Sequence, residues 1–226
     1  MSLYLWVMIF TLLGPLALSF DKKIHFYTHF KRLFISIILV AIPFLLWDEY
    51  FTQNQVWGFN PDYLEGVFLG NLPLEEILFF ILVPYACIFI YEVLKGYLPN
   101  LNTQKLTKVF VPLFATLSFV LAIMFYENWY TFSACLLASV LTLLFGRVLK
   151  KEWLGNFLVT YLVALVPFVI VNGILTGMAT PEPIVWYSEA HIMGIRIITI
   201  PLEDLFYNFN LLILIVAIYE SLRKKS

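Results

Sequence analysis

Charged residues are scarce in this sequence, and so are cysteine, histidine and glycine-rich motifs. Asp, Glu, Lys and Arg make up 13% of the 226 residues and the net charge is −1, so we expect no nucleic-acid partner. Two cysteines, Cys87 and Cys135, and three histidines show no spacing typical of a disulfide framework or a metal site. The absence of Gly-x-Gly-x-x-Gly and P-loop patterns excludes a nucleotide-binding fold of the usual kind.

Apolar residues are in large excess. They make up 62% of the chain, against about 45–50% in soluble domains, which indicates an integral membrane protein. A membrane-spanning helix needs about 20 mostly apolar residues, and the sequence has seven such runs. They are Leu3–Phe20, Leu33–Trp47, Leu74–Leu94, Leu106–Tyr126, Trp129–Phe145, Leu154–Gly173 and Leu202–Tyr219. The first lacks the basic start and cleavage site of a signal peptide, so we expect it to be retained as a span.

Positive charges fall almost entirely in alternate connecting segments. Of the 14 lysines and arginines, 13 follow the first, third, fifth or seventh run, and only Arg196 lies on the other side. Cytoplasmic loops are enriched in Lys and Arg. The pattern therefore predicts a multi-pass protein of the cell membrane, with its N-terminus outside and its C-terminus in the cytoplasm.

The sequence contains an internal repeat. Residues 66–95 align without a gap onto residues 194–223, so that Pro-Leu-Glu-Glu at 73–76 falls on Pro-Leu-Glu-Asp at 201–204. We expect an all-α integral membrane fold of seven transmembrane helices, built from two parallel three-helix repeats. These are residues 1–97, the first half, and residues 128–226, the second half, joined by an extra helix in residues 98–127. Both acidic motifs then lie at the outer face, where a single site between the halves is predicted.

The repeat extends along the same helices. Tyr91 falls on Tyr219 and Glu92 on Glu220, about 16 residues or 24 Å beyond the acidic motifs. We interpret these two pairs as anchors at the cytoplasmic interface.

The four carboxylates are the main candidates for a functional site. A single acidic pair after a proline is typical of a helix start, where carboxylates complement the helix dipole. Ionisable residues at membrane depth are costly and usually functional, however. Carboxyl groups that converge in a low-dielectric site resist ionising together, which gives a general acid beside a general base. We predict catalytic roles for Glu75, Glu76, Glu203 and Asp204, with only one of each pair facing the interior.

Residues near these motifs are candidates for binding a substrate or stabilising a cation. Aromatic rings in membrane proteins usually serve packing or interfacial anchoring, but their electron-rich faces also stabilise a carbocation. Arg196 is expected in a loop, where an ion pair with Glu203 or Asp204 would help to poise the site. The predicted set is Asp48, Phe79, Phe80, Asn172, Arg196, Tyr207 and Asn208.

Motifs in both halves resemble the heterodimeric-type lycopene cyclases. In the first half they are Leu18–Asp21, Pro43-Phe44 with Trp47-Asp48, Trp57–Pro61, Leu72–Glu76 and Phe79–Glu92. In the second half they are Val171–Gly173, Gly194–Ile197 and Ile200–Asn208. The resemblance covers nearly the whole chain in the correct order. In that family the halves occur as separate small membrane proteins, as one chain or fused to phytoene synthase, and this chain resembles the plain fused form.

The resemblance implies an isomerase of carotenoid biosynthesis, a lycopene β-cyclase. The family's Pro-x-Glu-(Glu/Asp) motif maps without departure onto Glu75, Glu76, Glu203 and Asp204. An acid would protonate the terminal double bond of lycopene, the cation would close a ring and a base would remove a ring proton, giving γ-carotene or β-carotene. No cofactor is evident, and a requirement for reduced NAD(P)H or flavin is left open. The expected partners are lycopene, the lipid bilayer and other carotenoid enzymes.

Two other classes of function are left open by the residues. A proton-coupled transporter or channel also uses intramembrane carboxylates, although the seventh run turns strongly apolar beyond Asn208 and Asn210. A non-catalytic carotenoid-binding protein would tolerate the loss of single carboxylates, whereas the enzyme would not.

Overall fold

The computed structural model describes residues 1–223, and most of them are helical. The seven α-helices are α1 Leu3–Leu18, α2 Phe30–Gln53, α3 Leu74–Tyr97, α4 Gln104–Met124, α5 Trp129–Leu143, α6 Leu154–Leu175 and α7 Glu203–Ser221. A π-helical turn, Leu144–Val148, continues α5, and 3-10 turns lie at Phe26–His29 and Pro61–Tyr63. The expectation of an all-helical chain is confirmed.

Six of these helices are long and apolar enough to cross a membrane, and their composition fits a multi-pass membrane protein. The remaining helix, α1, has 16 residues, which corresponds to a length of about 24 Å. Helix α2 runs from Phe30 to Gln53, beyond both ends of the predicted run 33–47. The predicted run stopped at the first charged residue, Asp48, but that carboxyl group is buried inside the protein, so the helix continues past it.

Six short strands form three antiparallel pairs that the sequence did not predict. They are β1 Trp57–Phe59, β2 Phe68–Leu69, β3 Leu72–Pro73, β4 Val185–Tyr187, β5 Arg196–Ile197 and β6 Ile200–Pro201. Hairpin β2–β3 leads into α3, and hairpin β5–β6 lies just before α7. Each strand of the first half has a counterpart 128 residues later, the same shift that relates the two acidic motifs.

Strands β1 and β4 pair across the two halves of the chain. Trp57 lies opposite Tyr187, and Phe59 lies opposite Val185. The main chain continues the pairing beyond the strands, because Asn60 N donates to Ile184 O at 2.8 Å. The pair therefore holds two distant loops together at the ends of α2 and α6.

Helix packing also crosses between the halves. Helix α2 contacts α7, and α3 contacts α6, while α1 packs on α3 and α5 packs on α7. The buried core between the helices is rich in aromatic side chains, among them Phe80, Tyr130 and Phe209. This arrangement brings the starts of α3 and α7 and the ends of α2 and α6 to the same end of the helix bundle as the β1–β4 pair.

Candidate active site

A cavity of about 50 Å³ lies where α2, α3, α6, α7 and the β1–β4 pair meet. Its wall is mostly apolar and aromatic, but five acidic and amide side chains face it. They are Asp48, Glu76, Asn172, Asp204 and Asn208. Eight of the eleven predicted site residues line this cavity: these five, together with Phe79, Phe80 and Tyr207.

Asp204 is the most fully hydrogen-bonded of the cavity carboxylates. Tyr130 Oη donates to its Oδ1 at 2.6 Å, and Asn172 Nδ2 and Tyr187 Oη donate to its Oδ2 at 2.6 and 3.0 Å. Three donors to one carboxylate stabilise its ionised form. Asp204 is therefore arranged to hold negative charge and to accept a proton.

Tyr187 lies in β4, outside the helices, and serves as one of these donors. Its removal from water raises the pKa of the phenol well above the usual value of 10.0, and the negative charge of Asp204 raises that pKa further. The phenol therefore keeps its proton at any physiological pH and remains a hydrogen-bond donor to Asp204.

The two carboxyl groups from the first half have fewer donors. Tyr4 Oη donates to Glu76 Oε2 at 2.5 Å. Trp57 Nε1 donates to Asp48 Oδ1 at 2.5 Å, and Thr52 lies further away at 3.4 Å. Asp48 Oδ2 has no hydrogen-bond partner among residues 1–223. Three carboxyl groups in different hydrogen-bonding environments thus face one small space.

Glu75 and Glu203, predicted as catalytic, do not line the cavity. Glu75 Oε1 accepts hydrogen bonds from Ser2 Oγ at 2.8 Å and from Glu65 N at 2.7 Å. Glu203 Oε1 accepts from Thr131 Oγ1 and from Met193 N. Consecutive helical residues point about 100° apart, so the first member of each pair binds the preceding loop and the second faces the cavity.

Arg196, predicted as a possible partner of the acidic motif, lies elsewhere. Its guanidinium group is 2.7 Å from Glu189 Oε1 and donates to Thr199 O at 2.9 Å. It therefore pairs with neither Glu203 nor Asp204, because strand β5 places it in a hairpin where a loop carboxylate is nearer.

Aromatic rings surround Tyr207 at the centre of the site. Their centroids lie 5.0 to 6.3 Å from the Tyr207 ring and mostly in edge-on orientations; the rings belong to Trp47, Phe44, Tyr130, Trp57 and Phe80. The hydroxyl of Tyr207 and both amide atoms of Asn208 have no hydrogen-bond partner in the described part of the chain. Such rings offer electron-rich faces to a positive charge.

Nine lining residues were not predicted from the sequence, and four of them donate hydrogen bonds to the cavity carboxyl groups: Tyr4, Trp57, Tyr130 and Tyr187. All four are aromatic residues in the first turn of a helix or in the short strands β1 and β4, and aromatic residues near helix ends are common in any membrane protein. Trp57 could have been selected from the sequence, because it lies in the Trp57–Pro61 motif, one of those on which the resemblance rests. Among residues 1–223, no three side chains of His, Cys, Asp or Glu lie close enough together to hold a metal ion.

The cavity thus combines buried carboxyl groups and aromatic walls within a helical fold of the membrane type. A sequence profile described as Lycopene cyclase matches residues 1–94 and 127–222. The chain belongs to the lycopene cyclase family.

Curated relatives agree with this family. The Colletotrichum graminicola protein is 34% identical over 85 residues, which are 35% of this chain and 14% of the relative. The Podospora anserina protein is 30% identical over 80 residues, 34% of this chain and 14% of its own. The Aspergillus niger protein is 25% identical over 172 residues, 72% of this chain and 28% of its own. All three are named bifunctional lycopene cyclase/phytoene synthase.

This chain therefore spans between about a seventh and a quarter of the length of these relatives. No solved structure matches it significantly.

Proposed function

We propose that this protein is a lycopene β-cyclase, an isomerase that converts the ψ-end groups of lycopene into β-ionone rings. The observation that carries the proposal is the cavity in which Asp48 and Glu76 of the first half face Asp204 of the second half among aromatic rings. Membership of the lycopene cyclase family and the names of the relatives support the choice of substrate. The expected products are γ-carotene, with one ring, and β-carotene, with two.

The chemistry requires one acid, one base and protection of a cation. A protonated carboxyl group donates a proton to the terminal double bond, and the resulting tertiary cation is attacked by the internal alkene to close a six-membered ring. We assign the removal of the ring proton to Asp204; its three hydrogen-bond donors, which favour the carboxylate form, support this role. The rings around Tyr207 stabilise the cation between these steps.

The reaction is redox-neutral. One proton is added and one is removed for each ring, so the substrate and the product have the same elemental composition. We propose that neither reduced NAD(P)H nor flavin is consumed in the reaction. An assay with and without these compounds tests this point.

We also propose that all seven helices span the cell membrane, as two parallel repeats with the N-terminus outside and the C-terminus in the cytoplasm. Support comes from the 128-residue shift shared by three strands and the acidic motif, and from the two separate segments that match the family profile. The distribution of Lys and Arg supports this orientation. Cysteine-accessibility labelling of the loops on each side tests it.

The function is tested by expressing the chain in a lycopene-accumulating host and separating the extracted pigments by chromatography. We expect cyclic carotenes from the native chain and lycopene alone from Asp204→Asn, with both proteins present in the membrane fraction at equal levels. Asp62→Asn, which removes an exposed carboxylate from the 3-10 turn Pro61–Tyr63, is the matched control and should behave as the native chain. Unchanged lycopene with the native chain in the membrane would overturn the proposal.

A further inference from the structure

Asp48 is the most deeply buried carboxyl group in the cavity wall. Its side chain belongs to α2 and the residue is 1% exposed. Trp57 Nε1 holds Oδ1 at 2.5 Å, which fixes the orientation of the carboxyl group. Oδ2 has neither a hydrogen-bond partner in residues 1–223 nor contact with solvent. A buried oxygen that carries charge and has no donor is costly, so this position favours a proton on Oδ2.

The other carboxyl groups differ from Asp48 in position or in bonding. Both oxygens of Asp204 accept hydrogen bonds, which favours its ionised form. Glu76 is less buried than Asp48 and accepts a hydrogen bond from Tyr4. Within residues 1–223, Glu75 and Glu203 each have one oxygen without a hydrogen-bond partner, but neither residue lines the cavity. Asp48 alone combines deep burial, a free oxygen and a place in the cavity wall.

The second half carries an amide where the first half carries this acid. Asn172 is the counterpart of Asp48 at a shift of 124 residues, which also places Pro43-Phe44 on Pro167-Phe168. Asn172 Nδ2 donates to Asp204 Oδ2 at 2.6 Å. The C-terminal part of α2 therefore carries a carboxyl group, whereas the corresponding part of α6 carries an amide. An amide cannot supply a proton to an alkene, but it stabilises a neighbouring carboxylate.

We infer that Asp48 is the general acid that starts the reaction. The Oδ2–H bond breaks as the alkene π electrons form a new C–H bond at the less substituted carbon of the terminal double bond, which leaves a tertiary cation on the other carbon. Ring closure then moves the charge to a ring carbon, and Asp204 takes the adjacent proton as its C–H electrons form the ring double bond. Before the next turnover a proton moves from Asp204 to Asp48, and no oxidant or reductant is required. This inference rests on the proposed function.

Asp48→Asn is the direct test, because asparagine keeps the shape and can still accept the Trp57 hydrogen bond through Oδ1. We expect a loss of activity of about 100-fold or more, the scale of a lost general acid. Lycopene that co-purifies with the protein, measured by its absorption, should stay at the native level, as should the thermal midpoint. Asp48→Glu should recover part of the activity, and Asp62→Asn should lose none.

Chemical rescue separates an acid from a merely structural residue. In Asp48→Ala, added formic acid should restore cyclisation at least tenfold, since the neutral acid reaches the vacated volume; formamide of similar size should not. Rescue should be absent in Trp57→Phe, which keeps the carboxyl group but loses its orienting donor.

The outcomes distinguish this inference from the proposed function. If the native chain forms no ring, the proposed function fails. If the native chain is active and Asp48→Asn stays within threefold of it, the inference alone is overturned. Loss of activity in Asp48→Asn together with equal rescue of Asp48→Ala by formamide would also overturn it, because a structural role would then explain the loss.

Discussion

Lys95 Nζ lies 2.7 Å from Glu220 Oε1 and joins α3 to α7 at the end of the helices opposite the cavity. The counterparts of these residues in the repeat make the reciprocal pair, with Arg223 3.8 Å from Glu92. Arg32 also binds Glu92, at 3.3 Å. The interface between the halves is therefore held by crossed ion pairs at one end and by the β1–β4 pair and the cavity at the other.

Lys95→Met should destabilise the protein. It leaves Glu220 mostly buried with fewer donors, at a cost of about 1–2 kcal/mol. We expect the thermal midpoint of the detergent-solubilised protein to fall by about 2–8 °C. The control is Lys105→Met, which removes the same charge from an exposed position at the start of α4. Equal effects of the two changes would show that the crossed pairs contribute nothing.

The members of each acidic pair should respond differently to amide substitution. Glu76→Gln removes a carboxyl group that faces the cavity, where it would help to stabilise the cation, and should lower the rate of cyclisation by about 100-fold. Glu75→Gln keeps an oxygen that accepts from Ser2 and from Glu65 N, so it should retain more than about a tenth of the activity. Pigment analysis at matched protein levels measures both. A larger loss of activity in Glu75→Gln than in Glu76→Gln would contradict the assignment of Glu76 to the site.

Tyr187→Phe should impair the reaction without changing the fold. It removes one of three donors to Asp204, and a hydrogen bond to a charged group contributes about 1.5–3 kcal/mol. We expect the initial rate to fall by about 10-fold or more with the same amount of bound lycopene. Tyr27→Phe, an exposed tyrosine far from the cavity, should leave the rate unchanged. A native rate in Tyr187→Phe would show that this donor does not support the base.

Ile198→Gly should stabilise the protein. Ile198 has φ of 60° and an exposed side chain, whereas Gly70, its counterpart in the first half, has φ of 67°. A β-branched residue in the left-handed region raises the free energy of the folded state by about 1–2 kcal/mol. Glycine removes this strain, but its greater loss of backbone entropy on folding offsets part of the gain. We expect the thermal midpoint to rise by about 2 °C. Ile195→Gly, which changes a residue that is also exposed but has no positive φ, should not raise the thermal midpoint. A lower thermal midpoint in both variants would show that the backbone at Ile198 is not strained.

Much of the fold follows from hydropathy, because seven apolar runs correspond to seven helices. The ends of the helices do not follow from it. Asp48 stopped the second run, yet α2 continues past it because Trp57 and the surrounding core bury its carboxyl group. Strands of two or three residues are too short to leave an alternating pattern, so the three antiparallel pairs were missed.

The repeat led to the cavity, but sequence alone did not settle which acid of each pair faces it. That choice depends on the rotation of α3 and α7, which the amides of Glu65 and Met193 help to fix by binding the other acid. The aromatic donors Tyr130 and Tyr187 lie far from Asp204 in sequence. Only the tertiary fold brings them together, so no local motif predicts them.

The β1–β4 pair has a consequence for any version of this fold made as two separate chains. Each half would present an unpaired strand edge, and main-chain hydrogen bonding would favour its partner through β-augmentation. Two copies of the first half could pair β1 with β1, but their cavity would contain two copies of Asp48 and neither Asn172 nor Tyr187. Strand complementarity alone would then not distinguish the correct assembly, and only the mixed pair would bring Asp48 and Glu76 to the same cavity as Asp204.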